Sequence, residues 1–146
     1  MQSNRILFVA LFALIVCTDG LFANYAFKKK VKSVCKSYRI TVESSKLSLD
    51  DEEFSMTLES NRNNFEMAML VGFASAGQAI AHQKQMGLAN AYTPSAVRVI
   101  VEAPVSKGEL KIFMATCTSD MAISLADGRM DSSQFMQEIM KNMEIQ

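Results

Sequence analysis

The stretch FEMAMLVGFASAGQAIAHQKQM, Phe65 to Met86, limits what this chain can fold into more than any other. Phe65, Met69, Phe73, Ala76 and Ile80 recur at helical spacing. The preceding NRNN offers a helix start and Gly87 a stop. Gly72, Ala74, Ser75, Ala76, Gly77, Ala79 and Ala81 give successive turns small side chains. A surface that small lets another backbone come close, and the expected neighbour is a β-sheet. Glu66, Ser75, Gln78 and His82 favour that sheet over a second membrane span, which stays as the lesser reading.

The strands to meet that helix are read from alternation. Tyr38, Ile40 and Val42 share one face of Ser37 to Glu43, and Phe54, Met56 and Leu58 share one face of Phe54 to Leu58. These two segments are expected to form a hairpin. Val97 to Glu102 and Glu109 to Thr118 follow, joined by a turn at Pro104, Ser106 and Gly108. Met121, Ile123 and Leu125 alternate as a short last strand. Asp131 with Gln134 then opens a final helix that carries Phe135, Ile139, Met140 and Met143. The expectation is an α+β domain with a four- or five-stranded antiparallel sheet packed against one long small-residue helix. A C-terminal amphipathic helix and an N-terminal hydrophobic signal or anchor helix complete it.

At the N-terminus, Ile6 to Cys17 is an unbroken apolar run behind Arg5, the pattern of a secretory signal, with Gly20 and Ala23 as cleavage positions. The apolar character resumes as LFANYAF. A retained helix from Ile6 to Phe27 is long enough to cross a bilayer. Tyr25 and Phe27 then lie at the membrane interface, followed by Lys28, Lys29, Lys30 and Lys32. The chain divides into a hydrophobic signal or anchor over 1–27, a basic juxtamembrane stretch over 28–36 and one globular domain over 37–146. The protein is expected to be exported or membrane-anchored, with the extracytoplasmic side preferred and a cytoplasm-facing anchor as the alternative.

Loss of Cys17 with a signal leaves Cys35 and Cys117, either a candidate disulfide or two unpaired buried thiols acting as small hydrophobes. Their spacing suits neither structural zinc nor covalent haem nor a redox motif. Lys and Arg number 15, as do Asp and Glu, so no polyanion partner is implied. One short lysine cluster is not a nucleic-acid face. Asp50 to Glu53 reads as a solvated turn, lacking the alternating ligands of a calcium loop. VGFASAG lacks the lysine of a phosphate loop. His82, the one histidine, has no nucleophile at a telling spacing, and Glu102 and Glu109 simply flank a turn.

Methionine is the unusual component, at 11 residues. Met136, Met140 and Met143 lie on neighbouring turns of the terminal helix, where core packing is the first expectation and a flexible apolar surface for a protein partner the candidate functional use. The functional expectation is a non-enzymatic domain without cofactor, attached to a membrane through its N-terminal segment and working by protein–protein interaction. An accessory subunit of a membrane assembly fits that description. The alternative is a small-molecule or lipid carrier with a cavity between sheet and helices, and a small hydrolase or redox enzyme ranks third.

Overall fold

A computed structural model describes residues 21–61, 64–87, 90–106 and 108–146. In chain order the elements are α1 (21–37), β1 (Leu47–Leu49), β2 (Glu53–Glu59), α2 (Phe65–Met86), β3 (Ala96–Ser106), β4 (Glu109–Thr118), α3 (Ser119–Ala126), α4 (Ser132–Met140) and β5 (Glu144–Ile145). The sheet order is β1-β2-β3-β4-β5. The class is α+β, as the sequence predicts, but the sheet is mixed. Strands β2 and β3 run parallel, with Glu53 beside Ala96 and Glu59 beside Glu102, while every other neighbouring pair is antiparallel. The departure from the expected antiparallel sheet has a simple cause. Helix α2 carries the chain back along the sheet, so β3 must start at the end where β2 started.

Alternation decides which face is covered. Phe54, Met56 and Leu58 on β2, Val97, Val99, Val101 and Ala103 on β3, and Phe113, Ala115 and Cys117 on β4 are all buried beneath the helices. Ser55, Thr57, Arg98, Ile100 and Thr116 lie on the opposite face, which is half-buried to exposed.

Helix α2 is central to the helical layer, which explains its composition better than a single small face does. Gly72 sits over the sheet: a Cβ there would lie 2.8 Å from Val99 Cγ1 and 3.1 Å from Leu58 Cδ1. Gly77, on another side, is pressed against the backbone of α3, where a methyl would overlap the Ala122 carbonyl. Phe73 meets Phe135 of α4 edge-on at 5.2 Å. At its end, Gln83 is fully buried and donates from Nε2 to the Ala23 carbonyl of α1 at 2.7 Å. A helix with partners on several sides is apolar or small nearly all round.

The expected strand over 37–43 is instead the end of α1 and its exit. Arg39 takes a left-handed conformation at φ 62°, and the amides of Tyr38 and Ile40 both donate to the Cys35 carbonyl. This closure stops the helix. The first strand lies further on, at Leu47–Leu49, and makes the hairpin with β2 through the acidic turn, where Asp50 N–H donates to the Glu53 carbonyl. The expected strand over Met121 to Leu125 is helix α3, because Thr118 accepts from the Met121 amide and Ala122 packs on Gly77. Strand β5 is an addition that the sequence pattern did not announce.

Residues 21–37 also bear on the division of the chain. Ala23, Phe27, Val31, Val34 and Cys35 form the buried face of α1 and join the core, so the boundaries at 27 and 36 fall inside a packed helix. The apolar run from Ile6 to Cys17 lies outside the described residues. Among those described, no helix is long and apolar enough to cross a membrane.

Candidate functional site

Strands β2 and β3 end side by side next to the start of α2, an arrangement that leaves a crevice beyond the carboxyl ends of parallel strands. The crevice here is a cleft of about 700 Å³. Tyr38 reaches it from the turn after α1, Met67 from the first turns of α2 and Leu110 from the start of β4. Each of these large apolar side chains is more than half exposed. Stacking of Phe65 on Phe113, with ring centroids 3.9 Å apart, fixes the start of α2 on β4 and so holds Met67 in place.

The polar lining is set by strand register. Glu59 and Glu102 are direct neighbours across β2 and β3, and both line the cleft. Ser60 N–H donates to the Glu102 carbonyl at 2.9 Å, which fixes their relative position. Neither carboxylate is in an ion pair with another described residue. Arg39 lines the same cleft, held by its left-handed turn. Asn64 flanks the start of α2 without a side-chain cap bond, so NRNN marks the helix start without supplying that bond through Asn64. The cleft thus joins apolar anchors to adjacent carboxylates and one guanidinium.

The residues singled out from the sequence are dispersed. Tyr25 is exposed on α1, but Phe27 is fully buried between Phe54 and Tyr92, with edge-on ring contacts at 4.9 and 4.8 Å. Lys29 and Lys32 are exposed, and Lys28 and Lys30 are half-buried. Met136 belongs to the core and Met143 packs against it, which leaves Met140 as the exposed member of that group. The expected methionine surface is therefore reduced to one side chain, because the terminal helix turns its first methionine inward beside Phe135.

Cys35 and Cys117 are both free and buried, Cys35 on α1 and Cys117 on β4. Burial raises the Cys35 thiol, partly opposed by a hydrogen bond with Ser75. Burial likewise pushes Cys117 up to about 12, partly opposed by the Ala122 backbone. Thiols held protonated in this way are weak nucleophiles. His82 borders a shallow groove with Lys30 and Asp127, and neither thiol lines it. Glu109 is exposed at the tip of the β3–β4 hairpin, opposite Ser106, so the strand register pairs Glu102 with Glu59 across β2 rather than with Glu109. Among the described residues, no three His, Cys, Asp or Glu side chains converge as a metal site.

Sequence reading missed the cleft because its members come from five separate segments. One signal was present: Met67 is a large apolar residue two positions off the Phe65, Met69 and Phe73 stripe, where a helix packed on one side carries polar groups. No family model, no curated protein and no solved structure matches this chain.

Proposed function

We propose that this domain is a non-enzymatic, partner-binding module, held at a membrane through its N-terminal segment, whose cleft takes a segment of another protein. The observation that carries the reading is the convergence of Tyr38, Met67 and Leu110, each largely exposed, on one cleft. Apolar side chains that meet from separate elements at a concave surface are the usual core of a recognition site. The adjacent carboxylates of Glu59 and Glu102 select a segment that brings a basic side chain beside its apolar anchor. The carrier alternative finds less support. The space between sheet and helices holds Phe27, Phe54, Met69 and Phe73, all fully buried, so a ligand would have to use the surface cleft instead.

The test is site-specific photo-crosslinking of the full chain in its native cells. A photoreactive residue at Met67 or at Leu110 is expected to trap the same protein, and one at the exposed Gln137 of α4 is not. Reversal of both carboxylates, Glu59→Lys with Glu102→Lys, is expected to abolish the adduct while the chain stays folded. Equal trapping from all three positions, or an adduct indifferent to charge reversal, sinks the proposal.

A further inference from the structure

Helix α1 has a second face. Its buried side, Ala23, Phe27, Val31 and Cys35, is fully enclosed. The opposite stripe follows the alternating three- and four-residue steps of a helix: Phe22, Tyr25, Lys29, Lys32 and Lys36, all exposed. Phe22 and Tyr25, joined by Leu21, are each more than half exposed. The stripe is therefore apolar at its start and basic along the rest.

Lys28, Lys29 and Lys32 come together with Tyr25 and Ser44 around a hollow of about 160 Å³. The Lys32 ammonium donates to the Ser44 hydroxyl at 3.3 Å, which leaves two of its three donors free. No ion pair with another described residue neutralises these lysines. The helix is also rigidly presented, because Gln83 holds the Ala23 carbonyl and Phe27 is wedged between two aromatic rings. Three residues, Thr18, Asp19 and Gly20, separate the exposed Leu21 and Phe22 from the apolar run Ile6 to Cys17.

We propose that this stripe is a docking surface for a bilayer containing anionic phospholipid. Lys28, Lys29 and Lys32 pair with headgroup phosphates at the hollow, and Phe22 and Tyr25 lie at the boundary between headgroups and acyl chains. Amphipathic aromatic and aliphatic side chains favour that depth, and juxtamembrane lysines are drawn to a negative leaflet. The charge and the apolar tip sit in the order a chain leaving a bilayer requires, which is what selects a lipid surface over a protein partner. Docking along this stripe lays the helical layer's α1 side on the membrane. The inference rests on the membrane attachment in the reading above and is independent of its cleft.

The experiment uses the full chain reconstituted in nanodiscs of phosphatidylcholine, alone or mixed with phosphatidylglycerol. Lysine acetylation by a water-soluble reagent is then followed residue by residue by mass spectrometry. Labelling of Lys29 and Lys32 is expected to slow about fivefold when phosphatidylglycerol is present, and to recover at high salt. The exposed Lys84 and Lys141 should label at the same rate in both discs. Equal labelling of Lys29 and Lys32 in the two discs overturns the docking surface while leaving attachment intact. Equal protection from inorganic phosphate added to phosphatidylcholine discs assigns the hollow to a free anion and also overturns it. Failure of the chain to co-elute with either disc removes both the attachment and the docking surface.

Discussion

Gln83 of α2 and Ala23 of α1 are sixty residues apart in sequence and joined by a 2.7 Å hydrogen bond in a fully buried setting. The same side chain accepts from the Tyr92 amide at 3.0 Å, so one amide group ties α1, α2 and the loop before β3 together. Gln83→Leu leaves the Ala23 carbonyl and the Tyr92 amide without these partners. The expected cost is about 2–6 kcal/mol, at roughly 1–3 kcal/mol for each of the two buried groups left unpaired. Urea unfolding that moves by less than about 0.5 kcal/mol would contradict this role.

Gly77 and Gly72 permit two different close approaches, and they differ in what can yield. A methyl at Gly77 meets the backbone of Ala122, whereas one at Gly72 meets the ends of Val99 and Leu58 side chains. Gly77→Ala is expected to destabilise by about 3 kcal/mol or more, despite the better helix propensity of alanine, and Gly72→Ala by about 1 kcal/mol. The reverse ranking in chemical denaturation would place the crowding elsewhere.

Alkaline pH should unfold this domain earlier than its carboxylates and lysines alone suggest. Burial holds the Cys117 thiol protonated up to about 12, against an ordinary value of 9.0. Tyr92 is raised as well, first by burial and then by the charges of Asp50, Asp51 and Glu53, and its hydroxyl donates to the Asp50 carbonyl at 2.6 Å. Both groups bind their protons more tightly when folded. Their stabilisation is complete below the unfolded values near 9 and 10, and is lost as pH rises towards the folded ones. The urea midpoint is expected to fall steadily between about pH 9 and 11, and Tyr92→Phe to flatten part of that slope. A midpoint constant over this range would disprove the linkage.

Asp131 caps α4 by accepting from the Gln134 amide at 2.8 Å. Asp131→Ala is expected to cost about 1 kcal/mol, and Asp131→Asn much less, because the asparagine oxygen still accepts that bond. Equal losses in the two variants would point to charge, not capping.

Much of this architecture was legible in the residues themselves. The span of α2, the strand at Phe54 to Leu58, the strand at Glu109 to Thr118 and the cap at Asp131 all rest on local signals: periodicity, a stop glycine, a capping side chain. Local signals misled where two periods fit one short segment. Met121, Ile123 and Leu125 alternate as a strand would, yet the capping bond from Thr118 and the fit of Ala122 against Gly77 make the segment helical. Phe27 likewise read as a membrane-interface residue because it stands beside lysines, and only the rings of Phe54 and Tyr92 make it core.

The sequence alone determined where the chain is apolar, where it turns and that its class is α+β, since these follow from the side chains of neighbours a few residues apart. Tertiary structure decided that β2 and β3 are parallel, that α1 belongs to the core, and that Glu59 meets Glu102 beside Tyr38, Met67 and Leu110. Those facts depend on which surfaces meet. That choice is made by burying the most apolar area while pairing groups such as Gln83 and the Ala23 carbonyl, a balance struck over the whole chain and written in no single stretch of it.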